Sequence, residues 1–301
     1  MLNRKTFFSY VRRAPFSGRL TQSQVDGMNA VLDYWEATRP NGDIRHLAYC
    51  MATDYHETNG KMQPVSENLN YTTAKQIKKT WPKRFKSEAE AASYVRQPEK
   101  LANKVYGNRN DLGNDYPGDG WLYRGRGAVQ VTGKRQYIQL GILLGIDLVA
   151  APELALDPQI SVRALIEGME HGIYTGLKLS DYFGPGKEEP KEARRIINGT
   201  DKAGLVEDYY FNFYGALKAA QLPEEPADVS TEEATPDKPN LARDITTIGA
   251  VIASGGTAAS IGSDLLEKIN NPYALGALAI VIIGLIVVFV GRYGIAKREG
   301  V

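Results

Sequence analysis

The sequence is poor in the residues that build metal centres and disulfide frameworks. Its 301 residues include one cysteine, Cys50, and three histidines. A single cysteine cannot form an internal disulfide, and the few histidines give it no partners for a zinc site. Cys50 falls inside a helical pattern with no neighbouring base, so we expect a buried structural thiol rather than a nucleophile. We therefore expect no metal and no other cofactor.

Two further absences limit the class of protein. Residues 1–19 are basic but lack the continuous apolar run of a signal peptide, so we expect no cleavable export signal.

The net charge of +1 conceals an uneven distribution: residues 1–221 hold 30 basic and 25 acidic residues, and residues 222–243 hold 2 and 6. No basic run is dense enough to indicate nucleic-acid binding. A mildly basic globular part suits an anionic polymer, either the cell wall or nucleic acid, and the size of the charge excess does not distinguish the two.

Changes in composition predict five segments. Residues 269–291 carry no charged side chain and are long enough to span a bilayer as a helix. Residues 245–263 are also uncharged but consist mostly of small residues, which fits either a second, weak span or a flexible segment. The predicted segments are a globular domain (1–221), an acidic proline-rich linker (222–243), a weakly apolar segment (244–268), a transmembrane helix (269–291) and a short basic tail (292–301).

The positive-inside rule bears on the orientation of this anchor. Arg292, Lys297 and Arg298 follow the predicted span closely and favour a cytoplasmic C-terminus. With one span the globular domain would face the periplasm, and with two spans it would remain in the cytoplasm.

The stretch most indicative of chemistry is His56-Glu57, with Glu67 ten residues later. A helical apolar pattern covers residues 43–55 and ends just before this pair. A carboxylate at the end of a buried helix is partly desolvated, which favours the protonated form that a general acid needs. Glu67 lies in a polar segment that we expect to be solvated. Hydrolysis of a glycosidic bond uses two carboxylates in such unlike environments.

The alternative explanation is a solvated helix end without catalytic function, which is the commoner reason for a His-Glu pair at such a place. A zinc-protease site is excluded because position 60, where the second histidine would stand, is Gly60.

Most of the remaining globular part reads as helical. Residues 107–120 are too rich in Gly, Asn and Asp for regular structure. A glycine-rich turn with two arginines follows at 121–133; it does not match a dinucleotide-binding loop, because no strand precedes it and the third glycine is misplaced. Helices are predicted from Thr21 onward, within 72–106 with a break at 81–82, and over 134–144, 157–172, 192–197 and 204–220.

Taken in order, these motifs resemble glycoside hydrolase family 19, in its phage-endolysin branch, over roughly residues 15–220. The pieces that carry the resemblance are residues 20–27, His56-Glu57-Thr58, Glu67-Asn68-Leu69-Asn70-Tyr71, residues 123–133, Gly145-Ile146-Asp147-Leu148, Pro152-Glu153-Leu154 and Ile197-Asn198-Gly199.

The resemblance implies a mainly α, lysozyme-like domain of two lobes with a central cleft. It implies inverting hydrolysis of a β-1,4 bond to an N-acetylated amino sugar. Glu57 takes the place of the general acid, Glu67 that of the general base, and Thr132 that of a residue holding the attacking water. The expected sugar-binding residues are His56, Tyr71, Tyr123, Arg126, Gln130 and Asn198.

Three functions fit the sequence. The first is an endolysin that cleaves peptidoglycan from the inner membrane of a bacterial host, with its domain acting on the periplasmic wall. The second is a chitinase, and the third is a membrane-anchored, holin-like or virion protein that only binds glycan. The predicted span and the missing disulfides favour the first. The expected partners are peptidoglycan strands, membrane lipid through the C-terminal helix, and a holin or a second copy of the tail, with no nucleic acid.

Overall fold

The computed structural model describes residues 1–221 of the chain. Within them the protein is mainly α-helical, with two pairs of two-residue antiparallel strands, so the predicted mainly α class is confirmed. The helices are α1 (Arg4–Arg13), α2 (Gln22–Thr38), α3 (Ile44–Glu57), α4 (Ala74–Thr80), α5 (Glu88–Ala92), α6 (Pro98–Tyr106), α7 (Asp119–Leu122), α8 (Lys134–Leu144), α9 (Pro158–His171), α10 (Arg195–Asn198) and α11 (Ala203–Gln221). The strand pairs are β1 (Val65–Ser66) with β2 (Arg126–Gly127), and β3 (Phe183–Gly184) with β4 (Lys187–Glu188).

The predicted linker, weakly apolar segment, transmembrane helix and basic tail lie outside the described residues and stay predictions. No helix formed by residues 1–221 combines the length and the apolar composition that a membrane span requires.

Several helices begin where a side chain can accept the first free backbone N–H groups. Thr21 accepts from the backbone of Gln24, whose side chain returns a bond to the backbone of Thr21. The side chain of Asp43 accepts from the backbone N–H of Arg45 at the start of α3. That of Asp157 accepts from the backbone N–H groups of Gln159 and Ile160 at the start of α9. These starts, the break after α4 and the bounds of α8 agree with the sequence-based expectation. The short α1 and both strand pairs were not predicted.

Helix α3 runs through the interior of the domain. We expected an apolar stripe on one face, but every residue from Leu47 to Asp54 is buried, because α2, α9 and α11 all pack against this helix. The helix is also two residues longer than predicted, so that Glu57 is its last residue. Cys50 is fully buried within it, as expected of a structural thiol, and burial raises the pKa of that thiol.

The buried apolar residues form two separate clusters. The larger includes residues of α1, α2, α3, α8, α9 and α11. The smaller consists of residues from the segment between Glu67 and α7: Leu69, Ile77, Phe85, Ala91, Leu101, Ala102 and Val105. Glu57 therefore ends a helix of the larger cluster, and Glu67 lies where the chain enters the smaller one.

The loop between the two glutamates is docked on α2. A Cβ atom at Gly27 would lie only 1.7 Å from the carbonyl oxygen of Met62, so the backbones touch at this point. The side chain of Gln24 donates to the carbonyl of Gly60, and that of Gln63 donates to the carbonyl of Ser23. Contacts with α2 thus set where the chain emerges before Glu67.

We predict that Gly27→Ala destabilises the protein. Alanine normally favours a helix over glycine by up to about 1 kcal/mol, but here the added methyl would push the loop off α2 at a cost of about 1–3 kcal/mol. Thermal unfolding would measure the change. Gly215→Ala in α11 is the matched control, because no atom lies within 4 Å of its added Cβ. Equal stabilisation by both substitutions would contradict the docking described here.

Candidate functional site

Glu57 is held by a buried arginine. Its Oε1 accepts a hydrogen bond of 2.7 Å from Nη1 of Arg194, whose side chain is only 2% exposed. Arg194 ends a 3₁₀ turn at Glu192–Arg194, and its Nε donates to the carbonyl of Asp201. A desolvated guanidinium needs a carboxylate partner, and Glu57 supplies it. Sequence reasoning missed Arg194, since its burial depends on a contact 137 residues away along the chain.

His56 lies beside this pair and is half-buried. Its ring centroid is 6.3 Å from that of Tyr209 on α11. Burial lowers the pKa of His56, and the neighbouring Glu57 partly opposes that effect. The imidazole is therefore mainly neutral near pH 7 and can both donate and accept a hydrogen bond.

Glu67 lies immediately after β1, where the chain pairs with the glycine-rich turn. Its backbone N–H donates to the carbonyl of Gly125, and its Oε1 accepts a 2.6 Å hydrogen bond from the hydroxyl of Tyr106. We expected a solvated carboxylate, but Glu67 is half-buried and desolvation raises its pKa, against the opposing effect of Tyr106. Tyr106, the last residue of α6, had no signal in the sequence.

The turn at Gly125 brings three of the predicted site residues together. A Cβ atom built on Gly125 would lie 2.9 Å from Oε1 of Gln130, 3.3 Å from Oγ1 of Thr132 and 3.4 Å from Cβ of Glu67. The absence of a side chain on Gly125 thus lets a carboxylate residue, an amide and a hydroxyl pack closely around this turn. Oγ1 of Thr132 donates to the carbonyl of Gln130, so its lone pairs remain available to accept from a water molecule.

Gln130 has a second, structural task. Its Nε2 donates to the carbonyls of Val65 and Gly127, both at 3.0 Å, and so ties β1 to the turn after β2. Its backbone adopts a φ of +54°, a conformation that few residues other than glycine take up. The amide oxygen is the part of Gln130 that lies against Gly125.

The structure corrects two of the predicted sugar-binding residues. Tyr123 is only 3% exposed, and its hydroxyl donates to the carbonyl of Val149. Arg126 is 4% exposed, and its Nη1 donates to the carbonyl of Leu122 and to the hydroxyl of Tyr137. Both side chains support the glycine-rich turn from below rather than presenting a surface to a sugar. The sequence showed that this turn was special but not which side chains pointed inward.

Two further predicted sugar-binding residues, Asn198 and Tyr71, are accessible to solvent. Asn198 is exposed at the end of α10, four residues after Arg194. Tyr71 is half-buried, and its ring packs edge-on against that of Trp81 with 5.2 Å between centroids. The structure therefore describes one group of contacts around Glu57 and another around Glu67.

The surroundings of the two glutamates differ. Glu57 pairs with the buried guanidinium of Arg194, whereas burial raises the pKa of Glu67. A raised pKa makes an ionised carboxylate a stronger base, because proton-transfer efficiency improves as the pKa approaches the working pH. Within residues 1–221 no group of three or more His, Cys, Asp and Glu side chains is placed to hold a metal ion.

Sequence comparison finds a similarity to a protein with a named family domain. The chain is 38% identical over 111 residues to a glycosyl hydrolase family 19 domain-containing protein of Haemophilus influenzae, a match covering 37% of this chain and 54% of that protein. The chain thus spans about half the length of this relative. No family model matches the chain.

Comparison with solved structures adds little. Chitinase C from Streptomyces griseus HUT6037 is 17% identical, with coverage of 75% of this chain and 95% of the other and a TM-score of 0.38. The crystal structure of a bacterial family 19 chitinase is 18% identical, with 75% and 97% covered and a TM-score of 0.37. TM-scores this low carry no argument about fold or function.

Asp54, one turn before Glu57, is a buried carboxylic acid that the sequence analysis missed. It is 3% exposed, and its Oδ1 has no hydrogen-bond partner within the described residues. It faces a small cavity whose lining contains no charged side chain besides Asp54 itself: Gly27, Ala30, Met62, Gln63, Pro64, Ala128, Pro158, Ser161 and Val162. Burial raises the pKa of Asp54 to about 7, so the folded protein binds this proton far more tightly than the unfolded chain does.

We predict that Asp54 makes the protein less stable as pH rises. Between the unfolded pKa of 3.8 and the folded value of about 7, the folded state holds a proton that the unfolded state has lost, so the free energy of unfolding falls with pH and levels off above 7. Each pKa unit corresponds to about 1.4 kcal/mol. Asp54→Asn should flatten the stability profile over this window and unfold at a higher temperature at pH 8. An unchanged slope would refute the assignment.

We also predict that Tyr106→Phe raises the pKa of Glu67 further. The tyrosine hydroxyl donates to the charged carboxylate and so opposes desolvation. Carbon-13 NMR titration of the Glu67 carboxyl group would report the shift directly. Tyr10→Phe, at an exposed position, is the control and should leave the titration unchanged. A lower or identical pKa in the Tyr106 variant would show that the hydrogen bond does not set the charge state.

Proposed function

We propose that the protein is a glycoside hydrolase that cleaves β-1,4 bonds next to N-acetylated amino sugars in peptidoglycan, as an endolysin does. The observation that carries the proposal is the pair of glutamates in unlike surroundings: Glu57 against buried Arg194, and Glu67 against Tyr106 beside the hydroxyl of Thr132. The similarity to a family 19 domain protein supports the same reaction class. No cofactor enters the reaction.

In the proposed reaction Glu57 protonates the glycosidic oxygen as the bond to the anomeric carbon breaks. Glu67 accepts a proton from the water that attacks that carbon from the opposite face, which inverts the configuration. Arg194 holds the carboxyl group of Glu57 in place for this proton transfer. Tyr106 and the backbone N–H of Gly125 orient Glu67.

The remaining side chains have supporting roles in this proposal. Thr132 is proposed to accept a hydrogen bond from the attacking water, and the amide oxygen of Gln130 to accept one from a sugar. Neutral His56, Tyr71 and exposed Asn198 are proposed to contact the sugars. Tyr123 and Arg126 shape the turn from the interior.

Chitin is the second candidate substrate, since the family that the sequence resembles includes chitinases and chitin has the same N-acetylated β-1,4 chemistry. We favour peptidoglycan because the described domain is basic, because the single cysteine provides no disulfides for a secreted enzyme, and because residues 269–291 predict a membrane anchor. Attachment to a host inner membrane, with a holin or a second tail as partner, is part of the proposal. A domain that only binds glycan would not need one carboxylate as a general acid and a second as a general base.

The test is the release of reducing sugar from purified cell wall and from chitin by the wild-type protein. Release from the wall supports the proposal, release from chitin alone favours a chitinase, and release from neither, with binding retained, favours a glycan-binding protein. In the wall digest, the sugar at the new reducing end identifies the bond that was cut.

The two carboxylates can be told apart by substrate chemistry. We predict that Glu57→Gln lowers hydrolysis of natural strands by about 10²–10⁴-fold but largely retains activity on an aryl glycoside, whose leaving group needs no proton. Glu67→Gln should lose activity on both substrates, and added azide should restore it by replacing the activated water. Rates with each variant and substrate give the answer. If the aryl substrate rescues Glu67→Gln instead, the acid and base roles are reversed.

A further inference from the structure

A polar groove opens on the smaller cluster directly after Glu67. It has a volume of about 630 Å³, within the range of small-molecule sites. Its lining contains amide, hydroxyl and ammonium groups but no carboxylate: Asn68, Asn70, Tyr71, Thr72, Gln76, Lys79 and Thr80. Because Asn68 follows Glu67 in the chain, the groove begins beside the proposed catalytic base.

The lining suits a carbohydrate. Asn70, Gln76 and Thr72 are exposed and present groups that can pair with sugar hydroxyls and acetamido groups. Asn68 accepts from the backbone N–H of Asn70, which fixes the start of the groove. The ring of Tyr71 is held edge-on by Trp81, so one aromatic surface within the groove has a set orientation. Few of the lining groups are apolar, which argues against a hydrophobic peptide as the occupant.

The chain around this groove is basic. Residues 68–87 contain six lysines and arginines and no aspartate or glutamate. Some of these cations have partners. Lys78 donates to the carbonyls of Pro82 and Phe85. Arg84 attracts Asp111 electrostatically, and Lys86 attracts Glu90. Within residues 1–221, Lys75 and Lys79 form no ion pair.

Lys75 and Lys79 are four residues apart on α4, which makes them neighbours on one face of the helix. Like charges at this spacing destabilise a helix slightly, and both side chains are exposed. Lys79 lines the groove itself. A ligand that carries carboxylates alongside sugars would relieve the repulsion and fill the groove.

We propose that this groove binds the peptidoglycan strand on the Glu67 side, with Lys75 and Lys79 contacting carboxylates of the stem peptides. Chitin carries the same acetamido sugars but no carboxylates, so these lysines select peptide-bearing strands over chitin. The inference rests on the proposed function, and it adds the part of the substrate that is recognised.

The experiment measures binding of the full-length chain, with Glu57→Gln in every variant so that the strands stay intact. The probes are soluble strands from purified cell wall, and the same strands with their carboxylates converted to methylamides by carbodiimide coupling. We call the methylamidated strands masked. The protein that carries only Glu57→Gln should bind native strands roughly three- to tenfold more tightly than masked strands, as expected of two exposed ion pairs. This preference should shrink at high salt.

Lys75→Gln with Lys79→Gln should abolish the preference and leave affinity for masked strands near its starting value. Arg12→Gln with Arg19→Gln is the matched control, since it removes two exposed cations from another part of the domain and should keep the preference. Lys75→Glu with Lys79→Glu should reverse the preference, and circular dichroism confirms that each variant is folded. A preference that survives loss of both lysines, or disappears equally in the control, overturns the inference.

A competing occupant is the acidic stretch at 222–243 of this same chain. One variant neutralises the six acidic residues of this stretch, and the other removes Lys75 and Lys79. If each variant binds native and masked strands more tightly than the starting protein, the lysines bind the chain's own linker and the inference is wrong. Wall hydrolysis by the wild type tests the proposed function separately. If the wild type hydrolyses the wall but shows no preference for native over masked strands, only the inference is wrong. If the preference depends on the lysines but the wall is not hydrolysed, only the proposed function is wrong.

Discussion

The ion pair between Glu57 and Arg194 is the constraint on which the described site most depends. It joins the last residue of the central helix α3 to a turn 137 residues away, and the arginine is almost fully buried. Removing either partner of such a pair leaves an uncompensated charge in the interior, at a cost of about 3–5 kcal/mol. The pair therefore fixes where the carboxylate of Glu57 lies and couples its charge to the packing of the larger cluster.

The second glutamate is positioned by different means. Glu67 is carried by a two-residue strand that pairs with the glycine-rich turn, and the loop before it is docked on α2 at Gly27. Tyr106 reaches it from α6, in the smaller cluster. Each glutamate thus belongs to its own cluster, so any relative movement of the clusters would change the separation on which a water-mediated reaction depends.

The sequence predicted elements with strong local signals and missed those that depend on tertiary contacts. Thr21, Asp43 and Asp157 marked helix starts because a cap is a local interaction, and α8 had a clear helical period. Arg194 and Tyr106 were missed because their partners are distant in the chain. Glu67 was assigned a solvated environment because polar neighbours in sequence do not reveal packing from another element. For the same reason, buried Tyr123 and Arg126 were mistaken for surface contacts.

The central claim is that Glu57 and Glu67 act on opposite faces of one sugar, with a water molecule on the Glu67 side. Proton NMR during the first minutes of hydrolysis identifies the anomer formed, before mutarotation mixes the two forms. If Glu57 is the acid and Glu67 the base of an inverting reaction, cleavage of a β-1,4 bond first releases the α-anomer, because the reaction is a single displacement. Initial release of the β-anomer would require a covalent or substrate-assisted intermediate and would contradict the roles assigned here.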